Sequence, residues 1–422
     1  METKTPPLTE LGTARAFRFA LLFTLGMTEI MPVALISSAM PVLLRKAGAS
    51  FEELGVLSLV MFPWALKALW APLVDKIGAR SRFGRYRAWL FITHPLLLLT
   101  LLLGAWVDIP ALMLHERAVG IPALIWLSII SATADTASHG LAVNLLAPEE
   151  RGVGNGVQTA GMMLGKLIGG GLMIMLVDQM GFRLPMLIMA ASLLLPLIGV
   201  ALYREPPVES TRSITFRDAL TFFRRRRIGR WLGVLGVLSL LPDLPTSPFQ
   251  AMFVDHGMGL SEIGLVLGVL SSTAGGIGGA VGGLVVRELG RQRAFFSLNL
   301  VCVLCLSLAS VIITRSAPGR PLLYLSVGFV VFGLSMVGTI LRVMIMDRSR
   351  SHLASSDYTL QVSVMSFFGF VGNGAGAFVA GRYGASSVFI FVPVAILAAL
   401  GGCLLLLNPS DFSVRPDGMN DV

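Results

Sequence analysis

Five ionisable side chains fall deep inside long apolar stretches of this chain: Glu29, Lys67, Asp135, Lys166 and Asp243. A charge at the centre of a bilayer costs about 2.5–3.5 kcal/mol on insertion scales, so such groups face a protein interior or a wet cavity and find partners. Counting from the ends of the apolar stretches sets Lys67 and Asp135 at similar depth, where they can pair. Glu29 and Lys166 match each other in the same way and form a second candidate pair, or all four make one network. Asp243 has no obvious base at its depth. His139 follows Asp135 by one helical turn and shares its face, placed to tune that carboxylate or relay a proton. Such groups could bind a charged solute, carry a proton or hold two states of a gate. The plainer alternative is static ion pairing that fixes packing.

Amides and aromatics add a second set. Gln158 and Gln361 take matching places early in their apolar stretches. Asn373 lies beside Phe367, Phe368 and Phe370. Aromatic rings with one amide could hold a flat, partly apolar ligand, although aromatics in such stretches more often serve packing.

The elements that must position these residues are membrane spans. The chain has 422 residues, of which 55% are hydrophobic and only 14% charged. Its mean hydropathy is +0.78. A soluble domain carries roughly a quarter charged residues. A span needs about 20 apolar residues. Twelve candidates follow: 17–44, 53–75, 88–107, 121–146, 153–177, 184–203, 230–253, 260–286, 294–314, 322–346, 358–380 and 384–407. The predicted fold class is therefore an all-α polytopic membrane protein of twelve transmembrane helices in two six-helix bundles. The expected division is a first bundle over 1–203, a linker over 204–229 and a second bundle over 230–422. The linker carries Arg224 to Arg227 and reads partly as an amphipathic surface helix. Most of the 33 lysines and arginines fall on one side if the N-terminus lies inside, which predicts cytoplasmic termini. The net charge of +9 thus reads as orientation and lipid anchoring, not as a nucleic-acid footprint. Cys302, Cys305 and Cys403 lie in apolar stretches and read as small buried side chains. The first apolar run is long enough to span, so it reads as retained.

Two segments at one fixed offset look like copies of a single device. Residues 71–80 contain Asp75, Lys76, Gly78 and Arg80; residues 283–292 contain Arg287, Glu288, Gly290 and Arg291. Each closes an apolar stretch with paired charges, a glycine and further bases, and each is a candidate gate. Glycines at four-residue spacing mark close helix contacts. Gly161, Gly165 and Gly169 in span five, with Gly275, Gly279 and Gly283 in span eight, suggest a smooth contact between the bundles. Packing within one bundle is the alternative. Pro242, Pro245 and Pro248 interrupt span seven around Asp243, which marks a cavity wall, a gate or a simple kink. Arg342 reads as snorkelling to the interface, with Asp347 as partner.

The paired device resembles the signature of the major facilitator superfamily, with Ala71 in place of the leading glycine and Arg287-Glu288 in the second copy. Phe62-Pro63-Trp64-Ala65-Leu66-Lys67-Ala68-Leu69-Trp70-Ala71-Pro72-Leu73-Val74-Asp75 resembles the branch of AmpG muropeptide permeases and acetyl-CoA transporters. Ala132 to Asp135 and Glu150 to Gln158 resemble the same branch. AmpG permeases are usually longer. The compact length and Asp357-Tyr358-Thr359-Leu360-Gln361-Val362 are similar to the RhtX/FptX siderophore importers. That resemblance implies import of a siderophore–iron complex such as ferripyochelin across a bacterial inner membrane. Protons would be the coupling ion, with neither enzymatic activity, cofactor, resident metal nor nucleic-acid partner, in a monomer. Asp75 and its basic neighbours would hold an inside gate, Lys67 and Asp135 would flank a central cavity, and Glu29 would carry the proton. Rival readings are a permease for muropeptides or other amphiphilic metabolites, a drug or metabolite exporter, and a membrane sensor or enzyme that moves nothing.

Overall fold

The computed structural model describes residues 8–46, 60–78, 81, 83–107, 109, 112–113, 116–205, 216–225, 227–246, 248–249, 253, 257–315 and 319–412. The described residues form helices joined by short turns, without strands. Among the described residues, nine helices are long and apolar enough to cross a membrane. The protein is an all-α, multi-pass membrane protein.

The first half of the chain supplies α1 (Leu8–Ala34), α2 (Phe62–Leu66), α3 (Ala71–Gly78), α4 (Arg85–Gly104), α5 (Arg117–Leu145), α6 (Arg151–Lys166), α7 (Arg183–Ser192) and α8 (Leu194–Leu202). The second half supplies α9 (Ile228–Asp243), α10 (Ser271–Ile313), α11 (Arg320–Arg348), α12 (Ala354–Tyr383) and α13 (Ala385–Leu406). Helix α10 reads through two expected spans. Gly290, at φ 72°, turns the chain between them, a conformation that glycine adopts without a steric penalty. Two expected spans are interrupted. Lys67–Leu69 forms a tight 3-10 turn between α2 and α3, and α9 stops at Asp243, just after Pro242.

Three π turns, Leu35–Ala39, Leu167–Leu172 and Val266–Leu270, prolong α1 and α6 and precede α10. Such bulges add one residue to a helical turn and concentrate at functional sites. In the linker, Phe216–Leu220 and Thr221–Arg224 are short helical turns. They dock by the buried Phe222 and by Arg225, which donates to the Arg348 carbonyl at 2.6 Å.

The two glycine stripes serve different contacts. Gly161, Gly165 and Gly169 face the α1 carbonyls of Phe23, Met27 and Met31, where any Cβ would overlap backbone. That stripe packs inside the first half, contrary to the expected contact between bundles. The contact between halves uses Gly152 and Gly156, about one and a half to two and a half turns earlier on α6. Cβ atoms there would stand 2.9 and 2.7 Å from the carbonyl oxygens of Gly283 and Gly279. The span-eight stripe does face the other half: Gly275 meets Met163 and Gly279 meets Thr159.

Candidate functional site

Helix α5 sets Ser128, Ser131, Asp135 and His139 on one buried face, spaced by three and four residues. The 3-10 turn delivers Lys67 to that face. Its ammonium donates to Asp135 Oδ2 and lies 4.4 Å from the centre of the Trp64 ring. Trp64 in turn donates to Ser131 Oγ at 3.0 Å. Lys67 and Asp135 are 3% and 1% exposed. Each is the other's condition for burial, since breaking such a pair leaves an unmatched charge at a cost of about 3–5 kcal/mol.

His139 extends the pair into a chain. Its Nε2 lies 2.5 Å from Glu29 Oε1 on α1 and 3.4 Å from Asp135 Oδ1. Gln158 Nε2 donates to Glu29 Oε2 at 3.3 Å and lies 3.4 Å from His139 Nδ1. The imidazole stacks on Tyr358 of α12, with centroids 4.3 Å apart and planes at 23°. Three first-half helices, α1, α5 and α6, and one second-half helix thus converge on one imidazole. Carboxylate, imidazole, carboxylate and ammonium form a connected path on which a proton can be held or passed. One ligand atom from each of Glu29, Asp135 and His139 lies within 4.8 Å of the others, a spacing that could hold a cation. Lys67 already brings a positive charge into this cluster, and His139 can bring a second, so the two carboxylates are matched without a metal.

The remaining expected residues scatter. Glu29 pairs with His139, not with Lys166. The glycines flanking Lys166 face α1, so its side chain leaves α6 in another direction. Lys166 has no ion-pair partner among the described residues. Asp243 lies against Gly369 of α12, and the Leu240 and Leu244 carbonyls press on Gly372 and Gly376. The proline-broken stretch is therefore a backbone-tight contact with α12. Gln361 sits in second-half packing. It accepts from Trp231 Nε1 at 2.7 Å and donates to the Asp357 and Ile345 carbonyls at 2.9 and 3.3 Å. Asn373 is half-buried on α12, beside the exposed Phe370, while Phe368 covers Gly236. An apolar groove of about 480 Å³, lined by Phe62, Leu66, Trp70, Ile125, Ile129 and Thr133 among others, opens on the face of α5 opposite Asp135.

Polar ties between the halves gather at the end from which α1 departs, here the near end. Asp75, fully buried at the end of α3, accepts from Ser356 N at 2.8 Å, Ser356 Oγ at 2.5 Å, Ser355 N at 3.3 Å and Tyr86 Oη at 2.6 Å. Those amides belong to the first turn of α12, whose N–H groups lack partners within the helix and carry its positive dipole end. A first-half carboxylate thus caps a second-half helix. Arg85 donates to the His352 carbonyl at 2.6 Å, and Ser355 Oγ to the Thr136 carbonyl at 3.0 Å. Gly78 lets α3 touch the Arg85 carbonyl, and Lys76 is exposed. Arg80 lies outside the described residues.

The second copy is arranged otherwise. Arg287 and Glu288 bond each other in solvent at 2.6 Å. Arg291 reaches Asp347 at 3.0 Å and also donates to the Pro148 carbonyl of the first half. Asp347 pairs with Arg151 of the first half at 2.7 Å. It is therefore not the partner of Arg342, which points inward to Thr159 Oγ1 at 3.4 Å instead of snorkelling outward. Glu205, just past α8, caps α4 by accepting from Tyr86 N and Arg87 N at 2.9 and 3.0 Å. Burial pushes its carboxyl up, against the pull of those amides and of Arg85 and Arg87. Sequence reasoning did not single out Tyr86, Glu205, Ser355 or Ser356. Tyr358 appeared only within a family-like segment.

A model of the Major Facilitator Superfamily matches residues 22–373. The chain belongs to this superfamily. It is similar to the anhydromuropeptide permease of Escherichia coli K12, 29% identical over 291 residues, which make up 67% of this chain and 58% of the permease. The chain thus matches less than two thirds of that relative's length. It is also similar to the putative transporter AmpG 4 of Rickettsia conorii, 22% identical over 83% of this chain and 87% of the relative. Among solved structures, a bacterial homologue of the iron transporter ferroportin in an outward-facing state has TM-score 0.66 at 16% identity, over 92% of this chain and 99% of that one. The Escherichia coli fucose:proton symporter FucP has TM-score 0.67 at 14% identity, over 92% of this chain and 98% of that one. The structural likenesses establish the fold. The superfamily match indicates a transporter and not an enzyme.

Proposed function

We propose that this transporter is a proton-coupled importer of an amphiphilic metabolite, working by alternating access between two six-helix bundles. The observation that carries the reading is the buried Lys67–Asp135–His139–Glu29 chain. Ionisable groups this deep in spans mark substrate or proton routes. Glu29 is the proton carrier in this reading, with His139 as its partner. Lys67 and Asp135 hold the path in register. The near end faces the cytoplasm, because most lysines and arginines lie on that side. The near-end ties then form the closed inner gate, and cargo enters from the opposite side of a bacterial inner membrane.

The cargo we put first is a siderophore–iron complex, with iron as substrate and not as a resident metal. Its support is the resemblance in residues 357–362, the stretch from which Tyr358 reaches the buried chain. The permease relatives support a second cargo, an anhydromuropeptide.

One experiment separates the two. Spheroplasts with and without the protein are offered radio-iron as a panel of siderophore complexes, and labelled anhydromuropeptide in parallel. Protein-dependent entry of one iron complex, collapsed by an uncoupler, supports the first cargo. Entry of the muropeptide alone moves the assignment to the second. Glu29→Gln is expected to lower concentrative uptake at least about a hundredfold, the low end of what a positioned proton-transfer group contributes, and to flatten its pH profile. Unchanged uptake and pH dependence would remove Glu29 from the carrier role.

A further inference from the structure

Tyr358 is fully buried, yet its hydroxyl has no hydrogen-bond partner among the described residues. The ring therefore acts through its face, and that face lies on His139. Ser355 and Ser356, capped by Asp75 of the first half, precede it by two and three residues at the start of α12. The start of α12 is thus held at three adjacent points, by a carboxylate on its amides, by the Thr136 carbonyl on the Ser355 hydroxyl and by an imidazole on its tyrosine.

We infer that Tyr358 is the positioning residue through which the proton on the Glu29–His139 pair governs the hold of α12 on the first half. The inference rests on the proton-coupled reading. An imidazolium clamped between Glu29 and Asp135 lies as a cation over the tyrosine π face, an attraction that a neutral ring loses. The groups facing His139 are Glu29 from α1, Asp135 from its own helix, Gln158 from α6 and Tyr358 from α12, with Lys67 of the 3-10 turn behind Asp135. Arg342 of α11 is the nearby base on the Tyr358 side. With both acids and both bases charged, the set is neutral and the clamp is closed. A proton that adds to the Glu29 carboxylate removes the charge that holds Nε2. The imidazolium, left with Asp135 alone, is held less firmly over the tyrosine, and the start of α12 has one of its three anchors weakened.

Hydrogen exchange on the purified full chain in nanodiscs tests this without any cargo. Corrected for intrinsic rates, amide protection around residues 354–360 is expected to fall as pH drops from alkaline to mildly acidic. In Tyr358→Leu it should be at least about tenfold lower at alkaline pH and insensitive to pH, as expected for a local opening that has lost an anchor. Tyr358→Phe keeps the stacking face and should follow the wild type. Wild-type protection that ignores pH overturns the inference, as does a Leu variant that tracks the wild type or a Phe variant that behaves like Leu. Should Tyr358→Leu not fold, His139→Gln carries the same expectation of low, pH-independent protection. If uptake proves proton-driven while protection ignores pH, the inference fails and the functional reading stands. If uptake is not proton-driven, the functional reading fails first.

Discussion

The two copies of the gate device share their glycine and little else. In the first copy Asp75 is sealed from water and satisfies four donors, two of them backbone amides of the opposite half. In the second, Arg287 stands at the equivalent position and merely bonds its neighbour in solvent. The tie between halves there has passed to Asp347, reached by Arg151 from one half and Arg291 from the other. Even the shared glycine answers different needs. Gly78 permits a close backbone approach, whereas Gly290 supplies a positive φ. A duplicated sequence device has kept its bend while its chemistry moved to other residues.

This contrast orders the expected losses. Asp75→Ala strands buried amide and hydroxyl donors from both halves, and at about 1 kcal/mol or more for each unsatisfied group the near-end closure loses several kcal/mol. A bias of that size redistributes a two-state equilibrium by about two to three orders of magnitude. Uptake should nearly vanish with the protein still in the membrane, and a near-end cysteine probe should become open to label. Asp347→Ala frees two arginines that reach some solvent, so the cost is lower, about 1–3 kcal/mol. Uptake should fall several-fold and recover in part in Asp347→Glu. Arg287→Ala removes an exposed pair worth about 0–1 kcal/mol. Uptake within twofold of wild type is expected. A loss as large as that of Asp75→Ala would mean that the two copies are functionally equal after all.

Depth was legible in the sequence; direction around each helix was not. The apolar lengths and the duplicated device indicated the all-helical membrane fold. Counting residues from the span ends set Lys67 beside Asp135, and the four-residue step from Asp135 to His139 put both on one face. The same count failed for Glu29 and Lys166, because equal depth does not fix azimuth. Lys166 points away from α1, while Gln158, two turns earlier, points at Glu29. Gln158 and Gln361 illustrate the same limit, one entering the charged chain and the other serving Trp231. Asp347 was ambiguous because arginines approach it from two helices that the sequence separates widely.

The seam between α6 and α10 is built of Gly152 and Gly156 against Gly279 and Gly283. A contact of bare backbone presents nothing to titrate and no charge for salt to screen. It behaves as a bearing, indifferent to the solution around it, while Asp75 and Asp347 behave as latches that solution conditions can loosen. Bulk is the bearing's weakness: a single added carbon at Gly156 would jam it at any pH.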